Sequence, residues 1–227
     1  FHFNVQNPND DDSKGGLPDP DFCSDDATYE CLTDTNCQKA NKGYCLSDKA
    51  KLTRDTKRLA DLQFINSLLA TYYNTKRCNN DLSRLCAGDS GCYGGGKCGN
   101  YYPNLLAGSY IAGRTFSAWP SWQATLGNTI SSALPVDPLN GFKGCGDQYD
   151  KITCWNNLNK LMQCPDETTY VYTYSSTAIN GKSKTKNLFA HREYAPTTPL
   201  TFWQPNWSQV EYMRNDSFPD PFGNFSV

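Results

Sequence analysis

Eleven cysteines constrain this chain more than any other feature of it. They fall in three groups: Cys23, Cys31, Cys37 and Cys45; Cys78, Cys86, Cys92 and Cys98; Cys145, Cys154 and Cys164. Each of the first two groups can form two local disulfides, and such density belongs to an oxidising, extracytoplasmic compartment. The third group is odd. One thiol is left over in an all-disulfide scheme, either free or bonded to another chain. Zinc is the rival use. However, the sequence has no Cys-x-x-Cys pair and only two histidines, His2 and His191, and its spacings match no common zinc module. Disulfides are therefore the reading, with their connectivity open.

The 227 residues carry a net charge of −2, which gives no electrostatic reason to bind nucleic acid or an anionic membrane. Mean hydropathy is −0.66 and no run approaches the ~20 apolar residues that cross a bilayer. No transmembrane segment is expected in this chain, and no signal peptide is present in the sequence as it stands.

Residues 1–46 read as a Cys- and Asp-rich extension. In NPNDDDSKGGLPDPDFC, aligning Gly16 with a calcium-loop glycine puts Asp11, Ser13 and Gly15 at ligand positions, with Asp19 further on. Calcium takes six to eight oxygens. The carboxylates here are few, so a solvated acidic linker is the reading and a degenerate calcium loop its alternative. Residues 47–76 read as a helix capped by Ser47 or Asp48. Leu59, Leu62, Ile65, Leu69 and Tyr72 make one apolar stripe, with Arg54, Lys57, Arg58, Asp61 and Asn66 mostly toward water. A second helix is expected over 121–134, from the repeat of Trp122, Leu126, Ile130 and Leu134. Tyr170, Tyr172 and Tyr174 alternate as in a strand, and Asn180-Gly181 signals a hairpin. Residues 195–227 are a Pro- and aromatic-rich tail, with sequons at Asn206, Asn215 and Asn224. Composition alone accounts for those sequons, and glycosylation there stays open.

Two stretches look catalytic and are not read so. GGGK (94–97) lacks the Ser/Thr and spacing of a phosphate loop. GDSG (88–91) resembles a serine-protease nucleophile motif, but it lies in a glycine loop of a chain with two histidines. With no paired carboxylates and no histidine cluster, no catalytic residue is assigned and no enzyme is expected.

RLADLQFINSLLATYYN (58–74), YYPNL (101–105), SWQATLGNTISSALPVDPLN (121–140) and TYVYTY (169–174) follow one another in a recognisable order. An Arg-x-x-Asp helix start, a Tyr-Pro loop, a Leu-Pro-x-Asp-Pro turn and an aromatic strand resemble the globular part of type IV pilins and type II secretion pseudopilins. The style is closest to pilin-like surface proteins of small-genome candidate phyla bacteria. The resemblance covers about 47–194 and implies an α+β fold. In it, a long amphipathic helix packs on a small antiparallel sheet, with disulfide-stabilised loops and extended termini. The chain departs from the family at its start. Phe1 is followed by HFNVQNPNDDD, where pilins have a hydrophobic half-helix.

The function expected from this is an extracellular structural subunit of a surface filament or layer, a homo-oligomer needing no cofactor. Its assembly segments would be Phe1, Phe3 and Val5 at one end and Phe222, Phe225 and Val227 at the other. Each end is short enough to add a strand to a neighbour's sheet. The alternative is an adhesin or glycan-binding head on a host surface, using Trp119, Trp122, Trp155, Trp203 and Trp207.

Overall fold

The computed structural model describes residues 21–130, 132–163, 169–179, 182–193 and 213–214. The chain divides into two compact units, Phe1–Lys57 with Glu193–Thr197, and Arg58–Arg192 with Thr198–Val227.

In the first unit, β1 (Asp21–Cys23) and β2 (Asp26–Cys31) form an antiparallel hairpin. The short helix α1 (Asp34–Lys39) follows, opened by a capping box between Thr33 and Asn36. Cys23 bonds Cys37 and Cys31 bonds Cys45, so the four cysteines interleave and form the unit's buried core with Ala50.

Helix α2 (Asp48–Asn74) runs through the boundary between the units and is the one helix longer than seven residues among the described residues. Ser47 caps it, its Oγ accepting the Ala50 amide at 3.2 Å. One buried seam follows the helical repeat: Ala50, Arg54, Arg58, Leu62, Ile65, Leu69, Tyr72. Only its second half is apolar. Arg54 and Arg58 do not face water, as a helix charge read alone suggests; they are 3% and 0% exposed. Leu59 is half-buried, and Phe64 on the outer side is 46% exposed.

In the second unit, β3 (Arg77–Cys78) pairs with β4 (Asp81–Leu85) and β5 (Cys98–Gly99) in a three-stranded antiparallel sheet. Cys78 bonds Cys92, and Cys86 bonds Cys98. The larger sheet contains β6 (Arg114–Phe116), β9 (Thr173–Ile179), β10 (Lys182–His191) and β11 (Met213–Arg214). Its order is β11-β10-β9-β6, antiparallel except for the two-residue pairing of β11. Ile179 pairs with Lys182 across Asn180-Gly181, which lie outside the described residues. Between these strands, the small hairpin β7 (Trp155–Asn156) and β8 (Leu161–Met162) follows the Cys145–Cys154 disulfide.

One core cluster gathers Leu62, Ile65, Leu69 and Tyr72 of α2 with Tyr172, Tyr174, Leu188 and Ala190. The second helix expected at 121–134 forms around a π-helical segment, Trp122–Gly127, with α-helical residues at 120–121 and 128–129 on either side. A π-helical turn closes i→i+5 hydrogen bonds. Accordingly, the Asn128 amide reaches the Gln123 carbonyl and the Ser132 amide the Gly127 carbonyl. Trp122, Leu126, Ile130 and Leu134 all still enter the core.

The two four-cysteine groups are copies of one module. Cys23, Asp26, Thr28, Cys31, Asp34 and Cys37 return at the same spacing as Cys78, Asp81, Ser83, Cys86, Asp89 and Cys92. Both link first cysteine to third and second to fourth. Both hairpins slip register just before the first cysteine. The first aspartate accepts an amide and a hydroxyl two residues on, Asp26 from Thr28 and Asp81 from Ser83. The second accepts the amide of the fourth cysteine, Asp34 from Cys45 at 3.0 Å and Asp89 from Cys98 at 2.8 Å.

Candidate functional site

Three aromatic rings and one carboxylate converge on an open cleft of about 600 Å³ in the second unit, lined by Tyr110, Trp119, Asp150, Ile152, Trp155 and Asn157 among others. Trp119 is fixed by its indole N–H, which donates to the Thr153 carbonyl at 2.8 Å. Trp155 lies on β7, directly after Cys154, whose positive φ of 50° turns the chain at the disulfide. Tyr110 stacks on Trp155 at 5.0 Å and 15°, and meets Trp119 edge-on. Trp119 and Trp155 are buried, whereas Tyr110 is 38% exposed and Ile152 is 70% exposed. The buried Nε1 of Trp155 has no hydrogen-bond partner among the described residues.

Asp150 is held open on one side. Its Oδ1 accepts the Ile152 amide at 3.0 Å, the Thr153 amide at 2.8 Å and the Thr153 hydroxyl at 2.8 Å. The Thr153 bonds favour the charged form and hold the carboxyl below the usual carboxylate range. Oδ2 has no partner among the described residues. The cleft thus offers a flat aromatic face beside an ionised acceptor.

Of the five tryptophans named from the sequence, Trp119 and Trp155 meet in this cleft. Trp122 is core, donating its Nε1–H to the Pro135 carbonyl at 3.0 Å, and Trp203 and Trp207 lie outside the described residues. Tyr110 and Asp150 carried no signal of their own, because a lone tyrosine and a loop aspartate are common everywhere.

Ten cysteines are disulfide-bonded, and Cys164 lies outside the described residues. The sulfurs of Cys23, Cys31 and Cys37, and those of Cys78, Cys86 and Cys92, lie within 4.8 Å of one another. All six are in disulfides, so neither triad has a thiolate to offer a metal. Asp11, Ser13, Gly15 and Asp19 lie outside the described residues, as do Phe1, Phe3, Val5, Phe222, Phe225, Val227 and the sequons at Asn206, Asn215 and Asn224. GDSG and GGGK both fall in the second cysteine module, where Asp89 is bonded to the Cys98 amide and Lys97. No described helix is long and apolar enough to cross a membrane.

Compared with protein-family models, curated proteins and solved structures, the chain matches none.

Proposed function

We propose that this chain is an extracellular, disulfide-stabilised pilin-like subunit of a surface filament or layer, joined to its own copies through its terminal segments. One observation carries this reading. The separate stretches that resemble pilin heads are bonded to one another. Arg58 of the Arg-x-x-Asp pair donates to Asp137 of Leu-Pro-x-Asp-Pro at 2.6 and 2.9 Å, both side chains fully buried. Asp61 of the same pair accepts the Tyr172 hydroxyl at 2.8 Å. Tyr174, next but one on the aromatic strand, donates to the carbonyl of Pro103 in the Tyr-Pro loop at 2.7 Å. A long helix lying with its apolar half in a core shared with an antiparallel sheet is how such heads are built, and the five disulfides favour the extracellular setting.

Negative-stain electron microscopy of the native protein tests the reading. Regular filaments or sheets are expected, and their dispersal by mild reductant would assign a contact to Cys164. Monomers alone, across protein concentration and ionic strength, would overturn it.

A second reading, a glycan-binding surface head, is favoured by the cleft. Tyr110 and Trp155 consume each other's inner faces, leaving a platform rather than a box. A platform suits the C–H face of a sugar ring, and Asp150 Oδ2 can accept its hydroxyls. Glycan-array binding abolished by Tyr110→Ala, and weakened at least tenfold by Asp150→Asn, is the expected result. An empty array ends this reading and leaves the first intact.

A further inference from the structure

The duplicated module has one copy whose partner is visible. In the first copy, the Cys31–Cys45 disulfide and Asp34 form a face covered by the first turns of α2. Ala50 packs in the cluster with the four cysteines, and the Ser47 hydroxyl lies 3.3 Å from the Cys45 sulfur. One turn after Ala50, the Arg54 guanidinium donates to Asp34 Oδ1 at 2.5 Å and to the Cys45 carbonyl at 3.1 Å. This covering leaves Cys31 and Cys45 2% and 0% exposed.

The second copy repeats this face, and no helix among the described residues lies on it. Asp89 Oδ1 takes the Cys98 amide as Asp34 takes that of Cys45. Lys97 sits on the other oxygen, Oδ2, at 2.9 Å, so the place on Oδ1 that Arg54 fills in the first copy is vacant among the described residues. The side chains of Asp89 and Lys97 are 55% and 65% exposed, and Cys86 and Cys98 are only half-buried. After Cys98 the chain continues through Gly99-Asn100-Tyr101 with no helix. Leu85 and Tyr93, exposed in the same module, add apolar surface.

We infer that the second module is a docking face for a helix of a partner chain bearing a small residue and, one turn on, an arginine. The small residue would lie on the Cys86–Cys98 disulfide. The arginine would bridge Asp89 Oδ1 and the Cys98 carbonyl, the counterparts of the two acceptors that Arg54 Nη1 reaches; Glu193, which takes the other side of the Arg54 guanidinium, has no counterpart in the second copy among the described residues. A guanidinium spans two separate acceptors with fixed geometry, whereas an ammonium is a point charge; Lys97, already on Oδ2, therefore does not substitute for it.

The test uses the full chain and a helix-stapled peptide of residues 47–60, SDKAKLTRDTKRLA, followed by fluorescence polarisation and by amide shifts of the second module. Saturable binding is expected, with shifts centred on Asp89 and Cys98. Asp89→Asn keeps an acceptor for the Cys98 amide but removes the charge, and should weaken binding about tenfold. Replacing the peptide's Arg54 by citrulline should do the same. Unchanged thermal unfolding of Asp89→Asn shows that its loss of binding is not loss of fold. No binding at millimolar peptide, or binding indifferent to both changes, overturns the inference.

Discussion

Arg58 and Asp137 are a salt bridge with no exposed surface on either side. Burying two charges costs several kcal/mol each, and only good geometry recovers it. Here the geometry is good. Asp137 Oδ1 also accepts the Leu139 amide at 2.9 Å, and the Tyr170 ring lies 5.0 Å from the guanidinium carbon. Arg58→Met should therefore cost about 3–5 kcal/mol in denaturant unfolding, because Asp137 is left buried and charged. Arg58→Met with Asp137→Leu should recover most of that loss. A single-mutant cost under ~1 kcal/mol would show that the pair anchors nothing. Tyr172 and Tyr174 behave differently. Burial raises both hydroxyls, and Asp137 and Asp61 raise Tyr172 further. Their folded pKa values exceed the unfolded value near 10, so their contribution to stability is complete below ~pH 10 and lost as pH rises beyond it. Absorbance of tyrosinate during alkaline titration should show these two of the 14 tyrosines ionising only as the chain unfolds.

Some elements were legible in the sequence and others were not. The alternation around Tyr172 and the Asn-Gly dipeptide pointed to the β9/β10 hairpin, because strand period and turn chemistry are local signals. The apolar half of α2 was legible for the same reason. Arg54 and Arg58 were not, since their partners Glu193 and Asp137 lie far along the chain and a lone helix charge reads as solvated. The duplicated module was present in the sequence throughout, in the shared spacing Cys-x2-Asp-x-Ser/Thr-x2-Cys-x2-Asp-x2-Cys. Counting cysteines by group hides it; laying one group over the other shows it, and the pairing then follows from either copy. The π-helical segment at Trp122–Gly127 is the converse case, in which a helix was legible and its type was not.

At the scale of the whole molecule, what the sequence carried was order. The stretches 58–74, 101–105, 121–140 and 169–174 follow one another along the chain, but only three dimensions bring Arg58 to Asp137 or Tyr174 to Pro103. The aromatic cleft was the least legible feature, because Tyr110, Trp119, Asp150 and Trp155 meet through loops whose path a disulfide and a positive-φ cysteine decide. The interleaved disulfides also have a mechanical consequence. A pull applied along the chain passes from Cys23 or Cys78 through sulfur, not around the loop that each closes, whose ends are 14 residues apart in both modules. An unconstrained residue drawn straight adds about 3.4 Å of length. Residues bypassed by sulfur add none, so a module torn from its neighbours lengthens only through the stretch between its third and fourth cysteines. A molecule stretched between two anchorages would give way at α2 and the larger sheet first, with the cysteine modules as its least extensible links.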